Sequence, residues 1–346
     1  MAENNPTHSR DQILELLAGH RRQRTPCFSG LMNVTAPGLE RIGANFGEIH
    51  ADPAKMAAAA ATTYHSFGFE SAVVPMDLCV EAEILGAQVD FRLDAPRLEF
   101  PRVVESLAAS ADEFKFDMPT DLPRRGRLPV IIEAIRRLKD SVGREIVIGA
   151  WVPGPLTLAM QLIDLKCLTA DVVRAPDAVG CLLDPLTDLL VEVGRAYRAA
   201  GADFLTVHEM GGSPGFIGPP AFKNVVQPRL KRLIAALPAP RVLSVCGDTN
   251  RAITLLPECG AEALSLDQLN ALARTREVLG QHVLLFGNLD PIGTLANGDE
   301  TEVRRAVQRA IDAGVDAVWP GCDLWPLVPA TNMQAMVDEA RNYQRR

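Results

Sequence analysis

Residues 242–248 read Val242-Leu243-Ser244-Val245-Cys246-Gly247-Asp248. A short run, apolar on both faces, ends on a thiol, a glycine turn and an acid. A strand of this length without polar alternation suits a parallel sheet covered by helices. The same grammar recurs along the chain. Comparable runs lie at Pro26–Phe28, Ala72–Pro75, Ile146–Trp151, Phe204–Val207, Ala263–Leu266, Val283–Phe286 and Ala317–Trp319. With the first, that makes eight.

Amphipathic helical patterns separate the runs. In Thr301–Ala313, residues Val303, Ala306, Val307, Ala310 and Ile311 fall at helical spacing with charges between them. Glycines stop two such helices just before a strand, at Ala200-Gly201-Ala202-Asp203 and Ala313-Gly314-Val315-Asp316. Eight strands alternating with helices predict an α/β fold, a (β/α)₈ barrel of the TIM type. A doubly wound sheet is the alternative, but no strand leads into G-x-G-x-x-G or a P-loop. The expected organisation is an N-terminal helical arm over residues 1–20 and one barrel domain over 21–346. An insertion, Leu78–Pro123, follows the second strand.

The 346 residues fit one barrel of about 250 residues plus insertions. A formal net charge of −8 argues against a nucleic-acid partner, which would need a basic face. No apolar run reaches the roughly 20 residues of a membrane span. Met1–Arg10 is polar and lacks the apolar core of a signal peptide. The expected location is cytoplasmic, which makes the seven cysteines reduced thiols rather than a disulfide framework.

In a barrel the C-terminal ends of all strands converge on one mouth, where active sites are built. Polar or reactive residues cluster at those ends: Asp77, His208-Glu209, Cys246-Gly247-Asp248, Asp267, Asn288, Asp290 and Cys322-Asp323. Cys246 and Cys322 lie far apart in sequence but would share the mouth. Two thiolates with a nitrogen or oxygen ligand suit tetrahedral zinc; two inert buried cysteines are the other reading. His208 and Glu209 end one strand, and alternation sends only one of them inward. Asp77, Asp267 and Asn288 would bind substrate or orient ligands there, or cap the following helices, the reading preferred for Asp290. Cys79, Cys167, Cys181 and Cys259 are expected to pack, and His50 to be structural.

Several segments together resemble the uroporphyrinogen decarboxylase superfamily. Trp151-Val152-Pro153-Gly154-Pro155-Leu156-Thr157 is similar to its G-x-x-G-P-x-T segment, with Gly149 displaced. Gly287-Asn288-Leu289-Asp290-Pro291 is similar to its G-N-L-D-P turn. Asp77 through Gly86 and Gly321-Cys322-Asp323-Leu324 resemble segments of its methylcobamide:coenzyme M methyltransferase branch. The resemblance runs from about residue 10 to the C-terminus. It implies a zinc-dependent methyltransferase moving a methyl group between a corrinoid (methylcobalamin) protein and an acceptor, a thiol such as coenzyme M. The implied zinc ligands are Cys246 and Cys322. The branch's histidine, two residues before the first cysteine, is replaced by Ser244. Glu209 is the preferred replacement ligand and His208 the reserve. Asp77 and Glu209 are the expected catalytic groups, and Asp267 and Asn288 the substrate-binding ones. No D-x-H-x-x-G cobalamin pattern is present, so the corrinoid would arrive on a separate binding protein.

Other readings stay open. Transfer could run from a small methylated donor to the corrinoid protein, or from corrinoid to tetrahydrofolate. Uroporphyrinogen decarboxylase uses arginines near the first strand; Pro26–Asn33 has none. A non-catalytic corrinoid-handling subunit is the reading that Ser244 favours.

Overall fold

Strands buried on both faces can exist only inside a wrap of helices, and the chain builds that wrap. The computed structural model describes residues 9–93 and 98–345. Nine strands occur there: β1 (Ser71–Val74), β2 (Val89–Asp90), β3 (Arg102–Val103), β4 (Val147–Pro153), β5 (Phe204–Glu209), β6 (Arg241–Val245), β7 (Ala263–Leu266), β8 (Leu284–Leu289) and β9 (Ala317–Pro320). Seven form one parallel sheet in the order β1-β4-β5-β6-β7-β8-β9. β2 and β3 pair antiparallel within the insertion.

The expected first strand, Pro26–Phe28, is reduced to one bridging residue. Cys27 pairs with Val318 in parallel. Val318 N donates to Pro26 O at 2.9 Å, and Glu70 N donates to Cys27 O at 3.0 Å. These bonds join β9 to the β1 edge and curl the sheet toward closure. The segment then turns inward instead of running on. A Cβ on Gly30 would sit 2.1 Å from Thr206 Oγ1 and 2.7 Å from Trp319. Only a glycine lets the chain cross the barrel interior at that point.

The helices end as their sequences dictate. Glu300–Asp312 opens with a capping box of Asp299 and Glu302. Gly201 closes Pro176–Ala200 at φ +118°, a left-handed conformation that favours glycine. Asp203 and Asp316 follow the two predicted glycine stops and do similar work at the lower rim. Asp203 accepts from Ile148 N at 2.9 Å and from Arg10 at 2.8 Å. Asp316 accepts from Leu285 N at 2.9 Å and from Arg21 at 2.6 Å. Each carboxylate thus ties an adjacent strand to the N-terminal segment.

The N-terminal segment packs beneath the barrel. Its helix covers Ser9–Leu17, with residues 1–8 outside the described part. Ile13, Leu16 and Leu17 are buried against Phe28, Phe204, Phe286 and Trp319 on the inner face. The helix is the floor of the barrel. Each such aliphatic side chain contributes about 1.5–3 kcal/mol when fully buried. Among the described residues no helix is long and apolar enough to cross a membrane. Cys27, Cys79 and Cys259 are buried as packing would have them, whereas Cys167 and Cys181 are exposed on the outer helices.

Ile13→Ala should lower the unfolding free energy by about 2–5 kcal/mol in urea titrations, the cost of a core cavity. A loss under about 0.5 kcal/mol, the usual surface value, would place this helix outside the cooperative fold.

Candidate metal centre

Alternation along β5 decides which side chains reach the barrel interior. Phe204 joins the inner core and Thr206 lies against Gly30, so His208 points inward on the same face. Glu209 faces outward. On β6 the inward set is Val242, Ser244 and, just past the strand, Cys246. The register pairs His208 with Ser244 directly. Cys322 arrives from the other side through the turn after β9, where Gly321 N donates to Leu289 O at 2.7 Å.

Three donor side chains meet there: His208, Cys246 and Cys322, with ligand atoms all within 4.8 Å of one another. The two sulfurs are 3.1 Å apart. His208 Nε2 lies 3.7 Å from Cys246 Sγ and 3.9 Å from Cys322 Sγ. Tetrahedral zinc, with Zn–S about 2.3 Å and Zn–N about 2.0 Å, sets S···S near ~3.8 Å and S···N near ~3.5 Å. The nitrogen spacings lie within a few tenths of an ångström of this, and the sulfurs need to part by about 0.7 Å. Two thiols and an imidazole on one mouth fit zinc in chemistry and spacing. The imidazole is fully buried and the cysteines half-buried, so the sulfurs face the mouth.

The charges are coupled. The hydrogen bond from Cys246, opposed by burial and helped by His208, holds the Cys322 thiol well below its ordinary range. The same contact, with burial, pushes Cys246 up. Burial alone would lower His208, but the Cys322 sulfur and nearby acids raise it overall. Burial and the Cys322 charge push Asp323 up to about 7. The pair of sulfurs therefore carries one negative charge more readily than two.

The structure does not bring Glu209 into this cluster. Its carboxylate accepts from Leu156 N at 3.3 Å, Thr157 N at 3.1 Å, Thr157 Oγ1 at 2.5 Å and Gly212 N at 2.8 Å. It sits at the start of the helix Pro155–Leu162, where a carboxylate is electrostatically favoured. A Cβ on Gly154 would lie 2.1 Å from Glu209 Oε2, so the glycine of the Pro153-Gly154-Pro155 segment makes room for it. Burial raises the Glu209 pKa and these donors pull it back part of the way.

Asp267 and Asn288 stand beside the cysteine turns. Asp267 accepts from Gly247 N and Leu269 N, each at 2.9 Å. Asn288 Nδ2 donates to the carbonyls of Asp267 and Asn270 at 3.0 and 2.9 Å. Asp290 caps the next helical turn through Ile292 N and Gly293 N, as expected of it.

Asp77 lies in a separate buried cluster. Arg127 donates to it twice, at 2.8 and 2.9 Å, His50 Nδ1 lies 2.9 Å away, and Cys79 N donates at 2.9 Å. Burial would raise its pKa, but Arg127 and His50 hold it well below the usual carboxylate range. Arg127 also donates to Glu83 at 2.6 Å. Neighbouring Glu81 is fully buried beside Tyr197, and burial pushes it up to about 8. Arg127 was not singled out in the sequence. Nothing in Arg124-Arg125-Gly126-Arg127 distinguishes it from its neighbours.

Known proteins agree with this architecture. Residues 8–343 match the family described as uroporphyrinogen decarboxylase (URO-D), and the chain belongs to that family. It is 28% identical over 335 residues to the methylcobamide:CoM methyltransferase MtaA of Methanosarcina barkeri, covering 96% of this chain and 97% of that one. It is 28% identical to the methylcobamide:CoM methyltransferase MtbA of Methanosarcina acetivorans, over 97% and 98% of the two chains. The solved structure of a methyltransferase from Methanosarcina mazei superposes with a TM-score of 0.90 at 26% identity, covering 96% of this chain and 98% of the other.

Arg127→Ala should destabilise the protein by about 3–5 kcal/mol at pH 7, because it strands a buried carboxylate. The Asp77 pKa is depressed in the fold, so its stabilisation is present above the unfolded value of about 3.9 and is lost as pH falls below it. The gap between wild type and variant in urea unfolding should therefore narrow from pH 7 to pH 3. A gap that stays constant would assign the loss to packing instead.

Proposed function

We propose that this protein is a zinc-dependent methyltransferase that moves a methyl group from a methylcorrinoid, carried by a partner protein, to a thiol acceptor. The observation that carries the reading is the convergence of His208, Cys246 and Cys322 at the barrel mouth. The full-length likeness to relatives named as methylcobamide:CoM methyltransferases supplies the reaction class.

His208 Nε2 and the two sulfurs are the metal ligands. Glu209, the ligand preferred from the sequence alone, takes a positioning part instead: it holds the start of the helix beside the mouth. Zinc at this site supplies Lewis acidity, which lowers the pKa of a thiol so that the reactive thiolate is present at neutral pH. The methyl carbon leaves cobalt for sulfur, the electron pair of the Co–C bond stays on cobalt, and the thiol proton goes to solvent. Asp267 fixes the Gly247 turn and with it the approach of Cys246 to the mouth. Asp267 and Asn288, beside the cysteine turns, are the polar groups assigned to bind an incoming acceptor. Asp77, engaged by Arg127, His50 and the Cys79 amide, acts by positioning rather than by moving a proton. The partner excludes water by covering the mouth during transfer.

Zinc measured by elemental mass spectrometry should fall from near-stoichiometric to background in Cys246→Ala and Cys322→Ala, and at least tenfold in His208→Ala. Demethylation of free methylcobalamin, followed by its visible spectrum with a panel of thiols, should fall with it. Glu209→Gln should keep its zinc. Zinc lost in Glu209→Gln but kept in His208→Ala would reverse the ligand assignment. Demethylation with tetrahydrofolate and with no thiol would overturn the acceptor.

A further inference from the structure

We infer that Ser244 is a positioning residue that sets the tautomer of His208 in the metal-binding state, with the imidazole proton on Nδ1 and the Nε2 lone pair left for a metal held between the two sulfurs. This rests on the zinc reading above and goes beyond it in assigning a role to a side chain that binds no metal.

The geometry is specific. His208 Nδ1 lies 3.1 Å from Ser244 Oγ, and among the described residues this hydroxyl is its one hydrogen-bond partner. Both side chains are inside the barrel, His208 at 0% and Ser244 at 2% exposure. They are lateral neighbours in the β5–β6 register, so backbone pairing, not chance side-chain reach, sets their separation. The opposite ring nitrogen faces the thiols at 3.7 and 3.9 Å. Trp151 meets the ring edge-on, with centroids 6.0 Å apart, and restrains its plane.

A neutral imidazole has one donor and one acceptor nitrogen. A nitrogen that ligates a metal must present its lone pair, so the proton has to sit on the other, and the partner of that other nitrogen decides how readily it does. Ser244 Oγ, a hydroxyl that can accept as well as donate, is the group in place to accept the hydrogen bond from that proton. A buried hydroxyl without a partner is costly, and an apolar residue would fill this interior position at lower cost if packing were its only duty.

The test is Ser244→Ala beside Ser244→Thr, which keeps the hydroxyl. Thermal melts first establish that both variants fold. Two readouts follow. Zinc affinity is measured by chelator competition. The His208 tautomer is read in zinc-loaded and in metal-free, reduced protein from ¹⁵N–¹H correlations, assigned by the spectrum of His208→Ala. Ser244→Ala should weaken zinc binding about 10–100-fold and reduce the Nδ1–H population. Ser244→Thr should restore both. Wild-type affinity and an unchanged tautomer in Ser244→Ala would overturn the inference, as would a folded Ser244→Thr that behaves like alanine. If the wild type binds no zinc, the metal reading fails, and the tautomer of the metal-free protein still decides whether Ser244 controls the ring.

Discussion

The register between β5 and β6 is the constraint on which the site depends. It sets His208 opposite Ser244 and sends both inward, so the imidazole stands one lateral step from the strand that carries Cys246. Side chains alternate along a strand with period two, so a slip of one residue would exchange His208 for Glu209 at the mouth. The inward position would then hold a carboxylate, and the outward one an imidazole where Thr157 and the helix start now engage Glu209. One backbone parameter thus selects both the donor set and the group that anchors the adjacent helix.

The surroundings hold that register in place. Glu209 links β5 to the helix Pro155–Leu162, so neither can shift without breaking several hydrogen bonds. Asp203 and Asp316 join strand starts to the N-terminal segment from below. The floor helix fills the inner core under the site. Closure at Cys27 and Val318 brings the β9 turn round, and with it Cys322, to meet Cys246 from 76 residues away in sequence. The cluster of His208, Cys246 and Cys322 is therefore a product of the closed curl rather than of any local motif.

Much of this was legible in the sequence. The seven ladder strands lie on the apolar runs read from the pattern along the chain, and the two cysteines were recognisable by their place at strand ends. The choice between His208 and Glu209 was not. Leu205-Thr206-Val207-His208 alternates apolar and polar, but Phe204 to Glu209 is buried on both faces, so the alternation does not say which parity faces in. Knowing that Cys246 faces the mouth fixes parity on β6 but not on β5, because the lateral register is invisible in one sequence. The first strand was overextended for a similar reason. The contact that draws the chain inward at Gly30 lies on Thr206 and Trp319, far along the chain. The clamp on Asp77 escaped notice because Arg127 sits in an arginine-rich loop with no spacing that sets it apart.

X-ray absorption at the zinc edge of the purified, loaded protein addresses the central claim most directly. The account predicts two sulfur scatterers at about 2.3 Å and one imidazole nitrogen at about 2.0–2.1 Å, with a third sulfur appearing when a thiol acceptor is added. A shell of oxygen and nitrogen alone, or a spectrum unchanged by thiol, would contradict it.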